Sequence, residues 1–226
     1  MTTCRSYALN VKGIPHTTEW IECPDIAPLS QKLGYPPTET RDGSPLYTIP
    51  FIYDPNTQQR IADSKAIVKY LDKAYPDTPQ LFPKGLDALQ QVFLDAIGAG
   101  KTEIDLALYM TVVYANSKIL APQSAEYWVR TRSARFGKPL EQLATEENWK
   151  VLEAGLGKVK GWLESNEDGE ARFFMGDRII FADLQLVALL KWIKTVDAEA
   201  WARIGTLHDS KWAGILQQFA QYETIV

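Results

Sequence analysis

The chain changes character once, near Leu81-Phe82-Pro83-Lys84-Gly85, and that change limits what it can fold into. Up to Phe82 it is dotted with prolines and short runs of β-branched or aromatic residues, separated by turn signals. Beyond that point apolar residues recur at helical spacing over long stretches. The pattern predicts a mixed strand-and-helix unit over residues 1–82 and an all-α unit over 86–226. A length of 226 residues suffices for one large domain or for two modest ones with their own cores.

In the first unit, Arg5 to Lys12 has a helical pattern closed by Gly13, with Pro15 just beyond. Thr17 to Glu22 is β-rich and reads as a strand. Pro24 to Ser44 reads as loop, with at most a short helix near Ala27 to Leu33. Pro50 to Tyr53 and Arg60 to Ala62 flank a turn at Asp54-Pro55-Asn56-Thr57 and read as a β-hairpin. Asp63-Ser64 then supplies cap chemistry for a helix whose stripe is Ile67, Val68 and Leu71, stopped by Tyr75-Pro76. In the second unit, Leu86 to Leu120 predicts one long helix with a soft point at Gly98-Ala99-Gly100. Further helices fit Ser124 to Phe136, Leu140 to Glu164, Phe181 to Val196 and Trp212 to Tyr222.

Charge excludes some functions. The 24 Lys and Arg against 28 Asp and Glu give a net charge of -4, so no basic field favours nucleic acid. Cys4, Cys23, His16 and His208 fall at no metal-ligand spacing, and no metal site is expected. No apolar run approaches the roughly 20 residues that span a bilayer, and the opening residues do not read as a signal peptide. The expectation is a cytoplasmic protein with reduced thiols and no membrane partner.

Two devices about a dozen residues apart carry chemistry. Pro50 at a strand start cannot donate to the ladder, and a cis peptide there would turn the Ile49 backbone outward, free to pair with an extended peptide. The first turn of the next helix offers free N–H groups, so Ser64 can hold a carboxylate while Asp63 meets an ammonium group. Together they suit an amino-acid head and a peptide body. Taken singly, each has a plainer explanation, since most X-Pro bonds are trans and Asp-Ser is an ordinary cap.

The order helix, strand, loop, Ile49-Pro50, hairpin, Asp63-Ser64 helix and all-α unit resembles the glutathione transferase family. Ala8 to Pro15 looks like that family's first helix and turn, and Gly176 to Asp183 is similar to its late helix-capping motif. Leu46 to Pro55 and Glu126 to Leu143 look like the fungal etherase-related members. The resemblance implies a thioredoxin-like N-terminal domain joined to an all-α domain. It implies glutathione as cofactor, bound by Ile49, by Pro50 as cis-proline, and by Asp63 and Ser64 as the γ-glutamyl clamp. It also implies aromatic, lignin-related or electrophilic ligands in a cleft between the domains, with Tyr109, Tyr114 and Trp128 as walls, aryl-ether cleavage or conjugation as the reaction, and a homodimer. The plainer reading of those three aromatics is ordinary helix packing.

In the family, an activating hydroxyl or thiol ends a strand ahead of the first helix, upstream of the glycine that Gly13 matches. The sequence given holds no residues there. The expectation is therefore a thioredoxin-like domain without its first strand, with the Thr17 to Glu22 strand unsupported on its inner side and weak transferase chemistry. A non-catalytic ligand-binding protein or a scaffold of the same fold is the alternative. Cys4, in the first helical turn beside Arg5, is the one candidate catalytic thiol, because a helix N-terminus lowers a thiol pKa. Cys23 reads as a small core residue. Ile180 stands where the late motif usually has Ser or Thr, so Asp183 would cap without a reciprocal side chain.

Overall fold

The computed structural model describes residues 4–41, 43–97, 103–166 and 172–224. Helix α1 (Cys4–Val11) ends at Gly13, whose φ of 65° suits a residue without a Cβ. The segment expected as a strand, Thr17 to Glu22, joins no sheet among the described residues. It is a connecting segment leading to a 3₁₀ turn and α2 (Ile26–Lys32). Its β-rich composition is not enough without a neighbouring strand to complete the ladder.

Strands β1 (Glu39–Arg41) and β2 (Ser44–Leu46) form a short antiparallel hairpin inside the stretch read as loop. Three-residue strands with mostly exposed side chains give no alternation for sequence reasoning to find. The expected second hairpin is present as β3 (Phe51–Asp54) and β4 (Gln59–Ala62), paired Phe51 to Ala62 and Asp54 to Gln59. Helix α3 (Ser64–Ala74) follows directly and buries Ile67, Val68 and Leu71, the stripe read from the sequence.

The link from α3 to the helical half is fixed by a buried ion pair. Lys12 Nζ donates to Asp72 at 2.7 Å and to the Pro79 carbonyl at 2.9 Å. The other Asp72 oxygen accepts from Phe82 N at 2.7 Å and Leu81 N at 3.1 Å. One carboxylate thereby ties α1, α3 and the crossing chain together.

The predicted long helix is two, α4 (Asp87–Ile97) and α5 (Glu103–Ser117), and its soft point lies outside the described residues. Helix α6 (Pro122–Phe136) ends at Gly137 in the left-handed region. The run Leu140 to Glu164 splits at Thr145, whose hydroxyl accepts from Asn148 N, into a 3₁₀ turn and α7 (Glu146–Glu164). Helix α8 (Phe181–Val196) has the expected bounds. Asp183 accepts from Ile180 N and Phe174 N, while the Ile180 carbonyl accepts from Asp183 N, so backbone replaces the side chain that isoleucine lacks. Asp197 caps an unforeseen α9 (Ala198–Gly205). The last helix, α10 (Leu207–Gln218), starts earlier than expected and is broken by three left-handed residues, His208, Asp209 and Ser210.

The main core does not divide at the crossing. Tyr7 and Ala8 of α1 and Val68 of α3 join Leu81, Phe82 and the inner faces of α5, α7 and α8 in one cluster. Helix α1 packs on α8, and the chain end closes over it. Asn10 donates to the Tyr222 and Thr224 carbonyls, Tyr7 donates to Glu223, and Lys191 pairs with the same carboxylate. Helices α5 and α7 meet at Gly155, where an added Cβ would lie 2.6 Å from the Ile104 side chain.

Candidate functional site

The β3–β4 register builds the site. With Phe51 opposite Ala62, the residues before β3 and after β4, Ile49-Pro50 and Asp63-Ser64, emerge at the same end of the hairpin. The four residues read as one constellation are thus brought together. The Ile49-Pro50 peptide is cis, and Ile49 is 48% exposed. The Ile49 backbone has no hydrogen-bond partner among the described residues.

Asp63 has φ 79° and ψ 130°, a backbone region that a residue with a Cβ enters at a cost of about 1–3 kcal/mol. It caps α3 by accepting from Ala66 N at 3.0 Å. Its carboxylate stays exposed, and the Ser64 and Lys65 amides and the Ser64 hydroxyl have no partner among the described residues. An exposed carboxylate therefore adjoins two free N–H donors and a hydroxyl at the positive end of a helix. That donor set fits a zwitterionic amino-acid head, and the bare Ile49 backbone fits a peptide amide.

At the far end of the hairpin, Asp54 accepts from the Tyr70 hydroxyl at 2.6 Å, the Tyr75 hydroxyl at 2.7 Å and Asn56 N at 2.9 Å. Burial raises its pKa, but the hydrogen bonds from Tyr70 and Tyr75 outweigh that and hold it below the usual carboxylate range. This anchor locks the hairpin onto α3 and so fixes the register at the site end. Sequence reasoning missed it; Tyr70 and Tyr75 facing an Asp across the hairpin were the available signal.

Cys4 approaches this site with its thiol buried and disfavoured from ionising. It is 5% exposed, and burial pushes its thiol pKa far up, with the Asp63 carboxylate adding to the rise. The lowering expected from the helix N-terminus is overturned by desolvation and a neighbouring negative charge. Cys23 is half-buried, contrary to the core position expected.

Tyr109, Tyr114 and Trp128 pack around Val113, Leu140 and Leu143 in a cluster of their own. Trp128 Nε1 donates to the Val113 carbonyl, and the Arg132 guanidinium lies 3.9 Å over its ring. Tyr109 contacts Trp128, Phe136 and Trp192. All three remain half-buried. Among the described residues no three His, Cys, Asp or Glu gather to hold a metal ion, and no helix is long and apolar enough to cross a membrane.

Family models for the glutathione S-transferase N-terminal and C-terminal domains match residues 6–74 and 88–222. The chain belongs to the glutathione S-transferase family. Glutathione transferase GSTFuA2 from Phanerochaete chrysosporium superposes with a TM-score of 0.93 at 44% identity, over 99% of this chain and 90% of that one. The glutathione S-transferase CsGST63524 of Ceriporiopsis subvermispora, solved in complex with glutathione, gives 0.92 at 37% identity over the same shares. The glutathione S-transferase-like protein ustS of Aspergillus flavus is 32% identical over 231 residues, 95% of this chain and 80% of the relative. Residues up to α3 thus form the thioredoxin-like half of a glutathione S-transferase, with two two-stranded sheets among the described residues, and α4 onward form its helical half.

Proposed function

We propose that this protein binds glutathione at the hairpin end and is a transferase of the fungal etherase-related type. The observation that supports this most is Asp63: a strained backbone, an exposed carboxylate and free amides at Ser64 and Lys65, all opposite the bare Ile49 backbone. In this reading the Ser64 hydroxyl and amide hold the γ-glutamyl carboxylate, Asp63 holds its ammonium, and the Ile49 backbone pairs with the cysteinyl amide beside Pro50. The thiol is then directed toward the helical half, where aromatic, lignin-related or electrophilic ligands are received. Tyr109, Tyr114 and Trp128 enter the proposal as a wall through the edges that their packing leaves open. The protein acts in the cytoplasm as a homodimer, and Leu89 and Val92, each 66% exposed on α4, offer an apolar face to a second copy.

A second reading, a ligand-binding protein of the same fold, is favoured by Cys4. With this thiol buried and held protonated, it supplies no thiolate chemistry of its own. Isothermal titration with glutathione, run with a transferase assay on an aryl-ether substrate, separates the readings. We expect saturable binding that weakens up to about tenfold in Ser64→Ala, the loss of one net hydrogen bond, with unchanged helical circular dichroism. Equal affinity for both proteins removes the clamp, and binding without turnover selects the ligand-binding reading.

A further inference from the structure

A cavity of about 380 Å³ opens at the Val11 end of α1, whereas Asp63 and the hairpin site lie near Cys4 at its start, about 12 Å of helix away. Its walls come from stretches far apart in sequence: Val11, the crossing at Pro79 and Gln80, the loop between Arg172 and Ile179 ahead of α8, and the chain end from Gln218 to Tyr222. Each wall is pinned from behind. Lys12 Nζ donates to the Pro79 carbonyl at 2.9 Å, Asn10 Nδ2 to the Tyr222 carbonyl at 2.7 Å and Phe174 N to Asp183 at 2.9 Å, while Phe173 meets the Phe219 ring edge-on. The cavity is therefore preformed, and a ligand need not order it.

Charge sets this cavity apart. Arg172 and Arg178 both line it. Elsewhere in the chain Arg41 and Arg203 pair with carboxylates, and Arg60, Arg130, Arg132 and Arg135 lie over aromatic rings. Among the described residues neither the Arg172 nor the Arg178 guanidinium has a partner of either kind, and Asp177, the acidic residue on the lining, pairs with neither. Two unpaired guanidiniums thus share one cavity in a chain whose net charge is -4. The Gln218 and Gln221 amides, also without partners among the described residues, add neutral donors, and Val11, Pro79 and Tyr222 add apolar surface.

We propose that this cavity binds a phosphate monoester of a compact hydroxylated ring, with the phosphate held by Arg172 and Arg178. A single guanidinium fork satisfies a carboxylate, whereas a phosphate monoester brings a charge of about -2 and three acceptor oxygens, enough for both arginines. The Gln218 and Gln221 amides donate to oxygens that the arginines leave over. The ring lies against Val11, Pro79 and Tyr222. Asp177 accepts from a ring hydroxyl and repels a second anionic group, which selects one phosphate over a polyphosphate. The ligand bridges the two halves of the protein, because α1 and the crossing wall one side and the α8 loop and the chain end wall the other.

The test is isothermal titration of the whole protein at low salt with ribose phosphate and with adenosine monophosphate, against inorganic phosphate and phthalate as controls. We expect saturable binding of at least one ester, about tenfold or more tighter than either control. Arg172→Gln and Arg178→Gln should each weaken it about tenfold or more, as loss of a charge-assisted hydrogen bond does, while Arg41→Gln leaves it unchanged. Bound ester should slow hydrogen exchange at Arg172 to Ile179 and at Gln218 to Tyr222 together, which locates the ligand independently of the variants. Tighter binding of adenosine monophosphate makes the ligand a nucleotide, and of ribose phosphate a sugar phosphate; either supports the proposal. Absence of saturable binding by both esters overturns it, as does unchanged affinity in the two arginine variants. Equal affinity for inorganic phosphate, which leaves the ring no seat, or for phthalate, which makes the ligand a dicarboxylate, overturns it too. Competition by glutathione would place the ester at the hairpin end and also overturn it, so the outcome stays separate from the clamp, on which the proposal does not rest.

Discussion

Asp63 carries two tasks that can be pulled apart. Its Oδ1 caps α3, and its charge faces outward from a left-handed backbone. Asparagine tolerates that backbone and caps as well as aspartate, so Asp63→Asn should leave the thermal midpoint nearly unchanged while weakening glutathione binding severalfold. An equal loss of both would make Asp63 a cap and nothing more. For Cys4, burial predicts inertness. In a Cys23→Ser background the native protein should react with a disulfide reagent at pH 8 many times more slowly than the protein unfolded in guanidinium. Native reactivity equal to the unfolded rate would restore Cys4 as a candidate. The sequence made Ile49, Pro50, Asp63 and Ser64 legible because each belongs to a local device, an X-Pro strand start or a helix cap. The raised pKa of Cys4 was not legible, because it depends on what packs over the thiol and on Asp63, distant in sequence.

Elements were legible where their period is long and their caps are side chains. Helices α3 and α8 came out at their expected bounds, whereas β1 and β2 were too short and exposed to show a pattern. Thr145 and Asp197 were readable caps that the apolar period overrode. Gly155 tests the contact of α5 with α7. Alanine has the better helix propensity by about 1 kcal/mol, yet its methyl would press on Ile104, so Gly155→Ala should lower stability by about 1–3 kcal/mol in urea titration. A gain in stability would show that Ile104 yields freely. The Asp54 anchor gives a pH dependence. Its folded pKa lies below the ordinary value near 4, so its stabilisation is complete above about pH 4 and is lost as pH falls through the folded value. Asp54→Asn should therefore show a shallower loss of urea midpoint between pH 5 and about pH 2.5 than the parent. Parallel curves would contradict this.

At the scale of the molecule, the bipartite sequence pattern gave the two halves but not their shared core. Lys12 and Asp72 are fully legible only with the crossing chain in place, since Leu81 and Phe82 lie beyond α3. Lys12→Ala leaves a buried carboxylate with only amide donors, and it should destabilise the protein by about 3–5 kcal/mol, with both halves melting together. Separate transitions would mean that the halves are independent. For assembly, sedimentation should give the dimer mass for the parent and the monomer mass for Leu89→Glu combined with Val92→Glu; a monomeric parent contradicts the homodimer. The clasp of Tyr7 and Asn10 on the chain end has a consequence for synthesis on the ribosome. Helix α1 emerges about 200 residues before Glu223 and well before α8, which cover it. At ordinary elongation rates the apolar face of α1 waits on the order of 10–40 s for its partners, a window in which a nascent-chain chaperone has something to hold.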